Sequence, residues 1–287
     1  MLYICFMYRV SQLIIYPIKS LGGIELNTAE VTDRGLKHDR RWMLIDENNR
    51  FLSQREHAQM ALFKIEVLSH GLKVTYTTDA SFIQIPFSPL KHDMVDVVIW
   101  DDTCAGQLVS DTADAWFSIK LGIPARLVYM PDETHRATDP RYTQPGMIAS
   151  FADAYPALLI SQASLDDLNN RLAEPLPMNR FRPNIVFTGG EPYSEDVMNH
   201  ISINGLDMYG VKLCARCVLT TIDQETIKKG KEPLKTLAGY RRKGAKILFG
   251  QNLAYSSTGI INVGDELKVF STHTEERFFI NTATSAI

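Results

Sequence analysis

Between Arg40 and Trp100 the chain is built from short β-branched runs separated by turn residues, and this pattern restricts the fold more than any other feature. "FKIEVL" and "LKVTYT" flank "SHG", whose glycine can take a positive φ, so they read as a hairpin. "SFIQIPF" and "DMVDVVIW" follow as two more strands, and "RRWMLIDENNRFLS" reads as a hairpin with "ENNR" at its tip. Then the apolar period changes. From Ser110 onward Ala113, Trp116, Phe117 and Leu121 share one helical face, with Ser110 able to cap the start and Gly122 the end. Strand-like runs return at "ARLVYM", "ALLIS" and "NIVFTGG". They continue through "ISINGLDMYGVKLCARCVLTTID", with turns at Asn204-Gly205 and Gly210. Two helices are expected, "SLDDLNNRLA" with a Ser164–Asp167 capping box and "EPLKTLAGYRRK" with Pro233 in its first turn. "RVSQLIIYPIKS" reads as the first strand and "GIINVGDELKVF" as a closing strand pair.

Short strands dominate and strand–helix alternation is irregular. That argues against a doubly wound parallel sheet and for a mainly β chain with added helices (α+β), organised as β-barrel-like units. A length of 287 residues suits two domains. The expected division is 1–125 and 126–270, followed by a loose tail over 271–287, with the joint between Gly122 and Pro145. The net charge is -3 and no basic stripe is visible, so a nucleic-acid polymer is not an expected partner. Four cysteines do not make a disulfide scaffold, and a reducing, cytoplasmic setting is expected. "MLYICFMYRV" lacks the basic start and length of a targeting segment, and no run reaches the roughly 18 apolar residues of a membrane helix. The polar stretch "PDETHRATDPRYTQPG" is long enough to be functional, and residues 131–146 are expected to border a substrate entrance.

Three stretches carry the chemistry. "KLCARC" places Cys214 and Cys217 three apart. A structural zinc wants two such pairs, and Cys5 and Cys104 are isolated. A redox dithiol wants the pair at a helix N-terminus, whereas here it lies in a strand-like run that "VLTTID" continues. From the residues alone, two inert core cysteines remain open as a reading. "YPIKSLGG" puts Lys19 and Ser20 directly after a strand and before two glycines, a plausible anion cradle. "DRRWMLID" and "NRFRPN" each alternate arginines around a strand start: Arg40 with Arg41, and Arg180 with Arg182. One arginine of a pair must face inward and needs a carboxylate or a ligand phosphate; surface ion pairs are the plainer alternative.

"YPIKS", "DRRWMLID", "NRFRPN" and "CARCVLTTID", in this order, resemble the MOSC-domain proteins that carry an N-terminal MOSC β-barrel domain. The likeness extends from Val10 to Phe270 and takes in the bacterial YcbX-type proteins and the mitochondrial amidoxime-reducing component; "FADAYPALLIS", "KEPLKTLAGYRR" and "LFGQN" add to it. The resemblance implies a molybdenum cofactor whose metal is bound by one cysteine thiolate, aligned with Cys217, beside a pyranopterin dithiolene. It implies cofactor contacts from Lys19, Ser20, Arg40 and Arg182, with Asn184 as a weaker candidate. Arginine suits phosphate through paired donors, and lysine acts as a point charge. The implied activity is reduction of N-hydroxylated compounds: amidoximes, hydroxylamines and N-hydroxylated base analogues. A non-catalytic carrier of cofactor or sulfur is the alternative. Some YcbX-type proteins carry a C-terminal ferredoxin domain; no cysteine follows Cys217, so electrons are expected from a separate flavin, haem or iron–sulfur reductase. A monomer is expected, with detoxification and pyridoxal phosphate binding as further associations of the family. The chain departs from the pattern at Ala154 and Tyr155, where the mitochondrial relatives have a Thr-Ser pair, and at Ile227, in a region where glycine is frequent.

Overall fold

The computed structural model describes residues 7–280 of the 287-residue chain. Seven strands close into a barrel. Around its wall run Ala157–Ser161, Ile185–Thr188, Tyr8–Ile15, Glu266–Thr272, Met198–Ile203, Leu206–Ala215 and Lys246–Tyr255, and the last pairs back onto the first. One pairing is parallel, with Leu159 opposite Ile185. Ala157–Ser161 is buried along its whole length, as a strand covered on both faces should be. Leu13, Leu159, Phe187, Ile201, Met208 and Leu253 belong to the barrel core.

The third strand of this wall comes from the start of the chain. Leu13 lies opposite Ile185, and Tyr8 opposite Leu267. Sheet membership therefore crosses the expected line between residues 125 and 126. Ile24–Leu26 and Thr28–Thr32 also pack on the barrel, and the N-terminal strands from Trp42 onward form a separate unit. A four-stranded sheet runs Trp42–Ile45, Arg126–Tyr129, Asp102–Leu108, Met94–Ile99, and a three-stranded one joins Phe63–Val67, Gly71–Tyr76 and Phe82–Pro86. The helix Asp111–Leu121 covers them. The Ser110 side chain accepts from the Ala113 N–H at its start, and Gly122 ends it at φ +67°. Ala113 and Phe117 share a core with Trp42, Phe63 and Leu127. Truncating Phe117 to alanine there costs about 3–5 kcal/mol. Asn204 and Gly205, at φ +49° and +77°, make the tight turn between Met198–Ile203 and Leu206–Ala215.

Four local expectations are corrected. The second helix runs Gln162–Asn169 and is capped by Ser161; Ser164 lies inside it and donates to Glu195 Oε2 at 2.9 Å. "GIINVGDELKVF" is not a strand pair. Gly259–Asn262 pairs with Thr28–Thr32, while Glu266–Thr272 pairs in the barrel wall; Ile261 and Leu267 nevertheless share one core. "VLTTID" does not continue the strand, which stops at Ala215; Val218–Thr221 is a single 3-10 turn. The segment expected to be loose begins with ordered chain: Phe278 is buried against Leu213 and Leu248. Residues 281–287 lie outside the described part, as does Cys5. Among the described residues no helix is long and apolar enough to cross a membrane.

Candidate active site

Where the first barrel strand ends, Tyr16–Ser20 turns to run beside Arg40–Trp42. Arg40 N–H donates to Tyr16 O at 2.9 Å, Trp42 N–H to Pro17 O at 3.0 Å and Lys19 N–H to Trp42 O at 2.8 Å. This lacing brings "YPIKS" and "DRRW" together. Ser20, Arg40 and Arg182 all have left-handed backbone, at φ +67°, +48° and +55°. Each such residue costs about 1 kcal/mol or more, and strain of this kind collects where side chains must be aimed. All three line one cleft, of about 120 Å³, at the junction of the barrel and the N-terminal unit. Lys19, Asn184 and Cys217 line it as well, so the six sequence-derived candidates meet in one place.

Arg40 and Arg41 do diverge, but the left-handed turn at Arg40 separates them, since the strand starts only at Trp42. Arg40 lies 4.4 Å from the centre of the Tyr16 ring and donates to Asp39 Oδ2 at 2.6 Å and Asn184 Oδ1 at 2.9 Å. Arg41 points away, to Tyr129 and Asp132. Arg182 lies 4.0 Å from the Tyr16 ring and donates one Nη1 bond to Leu21 O. Burial, with Arg40 nearby, lowers its pKa to about 10 despite the opposing pull of Tyr16 and Asp39. The Asn184 amide also donates to Ile14 O and accepts from Leu158 N–H, so it serves to hold Arg40. Arg180 is not in the cleft; it donates to Thr220 O and pairs with Asp223. Asp223 in turn accepts from Glu225 and Thr226 and is committed to that turn.

Cys217 opens the 3-10 turn with an exposed side chain. The Thr220 hydroxyl donates to Cys217 O at 2.9 Å and the Thr221 hydroxyl to Val218 O, so both threonines of the motif brace the backbone that carries the thiol. Cys214 is half-buried and accepts from Arg216 Nη1 at 3.1 Å. The two cysteines thus differ: one lies open on the cleft and the other helps fix the arginine between them. Among the described residues no group of three or more His, Cys, Asp or Glu side chains could hold a metal, so the zinc reading gains nothing.

Three charged cleft residues were not assigned from the sequence: Arg55, Asp153 and Arg216. Arg55 is a lone basic residue in "LSQREH", with no local signal of burial, and Asp153 sits in "FADAYPALLIS", which reads only as the lead-in to a strand. Asp153 Oδ1 lies 2.6 Å from Lys19 Nζ, and Arg55 lies 3.6 Å from Asp153 Oδ2. Burial lowers the Lys19 pKa to about 8 even with Asp153 beside it. Crowding by the chain opposes ionisation of Asp153, but Lys19, then Arg55 and Arg40, outweigh it and hold the carboxyl below its usual range. The segment 131–146 does not line the cleft. Arg136 from this loop instead holds the carbonyls of Ser150, Ala152 and Asp153, which fixes the wall that carries Asp153.

Five cations therefore surround the cleft against Asp153 and the buried Asp39. Arg55 Nε, Arg182 Nη2 and Arg216 Nε, all on cleft residues, are buried without a hydrogen-bond partner. Leaving such groups unpaired costs about 1–3 kcal/mol each, and an anionic, acceptor-rich ligand would satisfy them. A phosphorylated, sulfur-bearing cofactor fits these donors and the open thiol.

Residues 7–124 match the MOSC N-terminal beta barrel domain and residues 148–268 match the MOSC domain. Barrel, partner unit and junction cleft thus define a two-part MOSC protein. Mitochondrial amidoxime-reducing component 1 of Mus musculus is 34% identical over 277 residues, 89% of this chain and 80% of that protein. The Homo sapiens protein of the same name is 32% identical over 279 residues, 89% and 81% of the two chains. Molybdenum cofactor sulfurase of Solanum lycopersicum is 30% identical over 287 residues, 90% of this chain but 35% of that protein. The chain belongs to the MOSC-domain family that includes the mitochondrial amidoxime-reducing components. These comparisons give no support for pyridoxal phosphate binding or a detoxifying role.

Proposed function

We propose that the cleft holds a molybdenum cofactor with Cys217 as thiolate ligand to the metal, and that the protein uses it to reduce N-hydroxylated compounds. The observation that carries this reading is the meeting, in one cleft, of an open thiol with buried guanidinium nitrogens that lack partners. A soft thiolate suits a metal that already has sulfur ligands. Lys19, Arg40 and Arg182 would take the phosphate and pterin side, with Arg55 and Arg216 completing the positive wall. When bound, such a cofactor supplies the two-electron reduction that breaks an N–O bond to give an amine or amidine and water. The chain's own part is to hold the cofactor, to keep Cys217 exposed on a turn braced by Thr220 and Thr221, and to present Asp153 where N–H groups arrive. Electrons come from a separate flavin, haem or iron–sulfur reductase.

The test is molybdenum content per chain together with reduction of amidoximes by a chemical electron source. Wild type and Cys214→Ala are expected to hold metal and turn over, and Cys217→Ala to lose both. The likeness to molybdenum cofactor sulfurase favours a second reading, a cofactor or sulfur carrier. Metal-loaded protein that reduces no N-hydroxylated substrate supports that reading over the first.

A further inference from the structure

Against the Arg55–Asp153 wall of the cleft, though not among the residues that line it, the N-terminal unit places one residue that the reading above leaves without a role. Trp100 is 45% exposed. It begins the two-residue turn between Met94–Ile99 and Asp102–Leu108, where Ile99 pairs with Asp102, and its backbone has φ +56°. Two-residue hairpin turns favour glycine, asparagine or aspartate at a position with positive φ, and a bulky side chain there is an outlier. The chain thus carries strain to place an indole at this point, and such strain is a pointer to function.

The indole faces the cleft wall. Its Nε1–H donates to Asp153 Oδ1 at 3.4 Å, and the Arg55 guanidinium stacks 4.1 Å from its ring centre. Phe51 meets it edge-on at 4.9 Å and fixes its tilt. Arg55 Nε is one of the unpartnered buried donors, and the Asp153 side chain is 63% exposed. A flat apolar surface, a guanidinium and an exposed, ionised acceptor thus stand side by side against the cleft wall.

The geometry points to Trp100 as a stacking platform that selects planar aromatic N-hydroxylated substrates carrying an N–H beside the N–O group, with Arg55 and Asp153 reading those polar atoms. This inference rests on the reductase reading and names its preferred substrate class. The ring of an aryl amidoxime lies on the exposed part of the indole, its amino N–H donates to Asp153, and its hydroxyimino oxygen or nitrogen accepts from Arg55. A stacked aromatic pair contributes enough for about a five- to tenfold preference over a substrate without a ring.

The experiment compares benzamidoxime with acetamidoxime, which has the same N–O group on a methyl. Molybdenum-loaded wild type, Trp100→Phe and Trp100→Gly are assayed with reduced methyl viologen as electron source, and benzamidoxime affinity is measured by calorimetry in parallel. The ratio of kcat/KM for the two substrates is expected to fall about five- to tenfold in Trp100→Gly and to be largely restored in Trp100→Phe. Trp100→Gly should remain folded, since glycine takes this φ freely, and its thermal midpoint checks this. If Trp100 only shields the Arg55–Asp153 pair, both substrates lose together and the ratio holds, which overturns the proposal. If benzamidoxime binds with Trp100-dependent affinity while the wild type reduces neither compound, the reductase reading fails and the platform stands. Affinity indifferent to Trp100 overturns the platform whatever the turnover.

Discussion

Lys19 Nζ lies 2.6 Å from Asp153 Oδ1, although the lysine side chain is 5% exposed and the aspartate 63%. The ammonium is buried at the base of the pair and its counter-charge sits at the mouth. Burial lowers the Lys19 pKa from 10.5 to about 8. The folded chain therefore releases this proton before the unfolded chain does. Below about pH 8 both states carry it and the fold bears the cost of a buried cation; that cost fades as pH rises from about 8 to 10.5, so this group's contribution to stability improves across the window. Anion affinity runs the other way, because the charge is lost. Sulfate binding, followed by calorimetry, should weaken as pH rises through about 8, and Lys19→Met should remove that inflection. A wild-type affinity that stays flat from pH 7 to about 9 would count against a titrating Lys19.

Arg40 and Arg182 flank the same tyrosine ring but should respond differently to removal. Arg40 neutralises Asp39, whose side chain is fully buried. Arg40→Met strands that carboxylate and should cost about 3–5 kcal/mol in urea unfolding. Arg182 pairs with no carboxylate among the described residues and keeps Nη2 unpartnered. Arg182→Met should leave cofactor-free protein within about 1 kcal/mol of wild type, or more stable, while lowering molybdenum content. Equal destabilisation by both variants would contradict this distinction.

Ile227 occupies φ +56°, a region that a β-branched residue rarely enters. Its N–H closes the turn onto Asp223 O at 3.0 Å. Ile227→Gly should raise stability by about 1 kcal/mol, seen as a higher urea midpoint at constant slope. No gain, or a loss, would mean that the isoleucine side chain's packing outweighs its backbone strain.

Glu195 is buried beside Asp196 and accepts from Ser161 N–H and the Ser164 hydroxyl. Burial, then the charge of Asp196, raises its pKa well above the ordinary 4.5. The folded state thus holds this proton when the unfolded state has lost it, so stability should fall as pH rises from 4.5 toward about 7. Glu195→Gln should flatten that slope in thermal melts between about pH 5 and 7. An unchanged slope would assign the pH dependence to other groups.

The sequence by itself determined what acts within a few residues. Ser110 and Gly122 bound the helix as capping chemistry requires, and Asn204-Gly205 turns the hairpin because that turn needs two positive φ values. The alternating arginines and "KLCARC" were visible as chemistry, and recognition of the motif order selected the residues that meet in the cleft. Tertiary structure decided the rest. Nothing local in "RVSQLII" says that this strand pairs with residues 185–188 and 266–267, because that choice depends on which distant apolar faces close one core. Nor does local sequence show that Arg40, not Arg41, enters the cleft, or that Arg55 and Asp153 reach it from separate segments with Trp100 packed against both. Those placements follow from long-range packing, since a charge is aimed inward only where folding has brought its partners within a few ångströms.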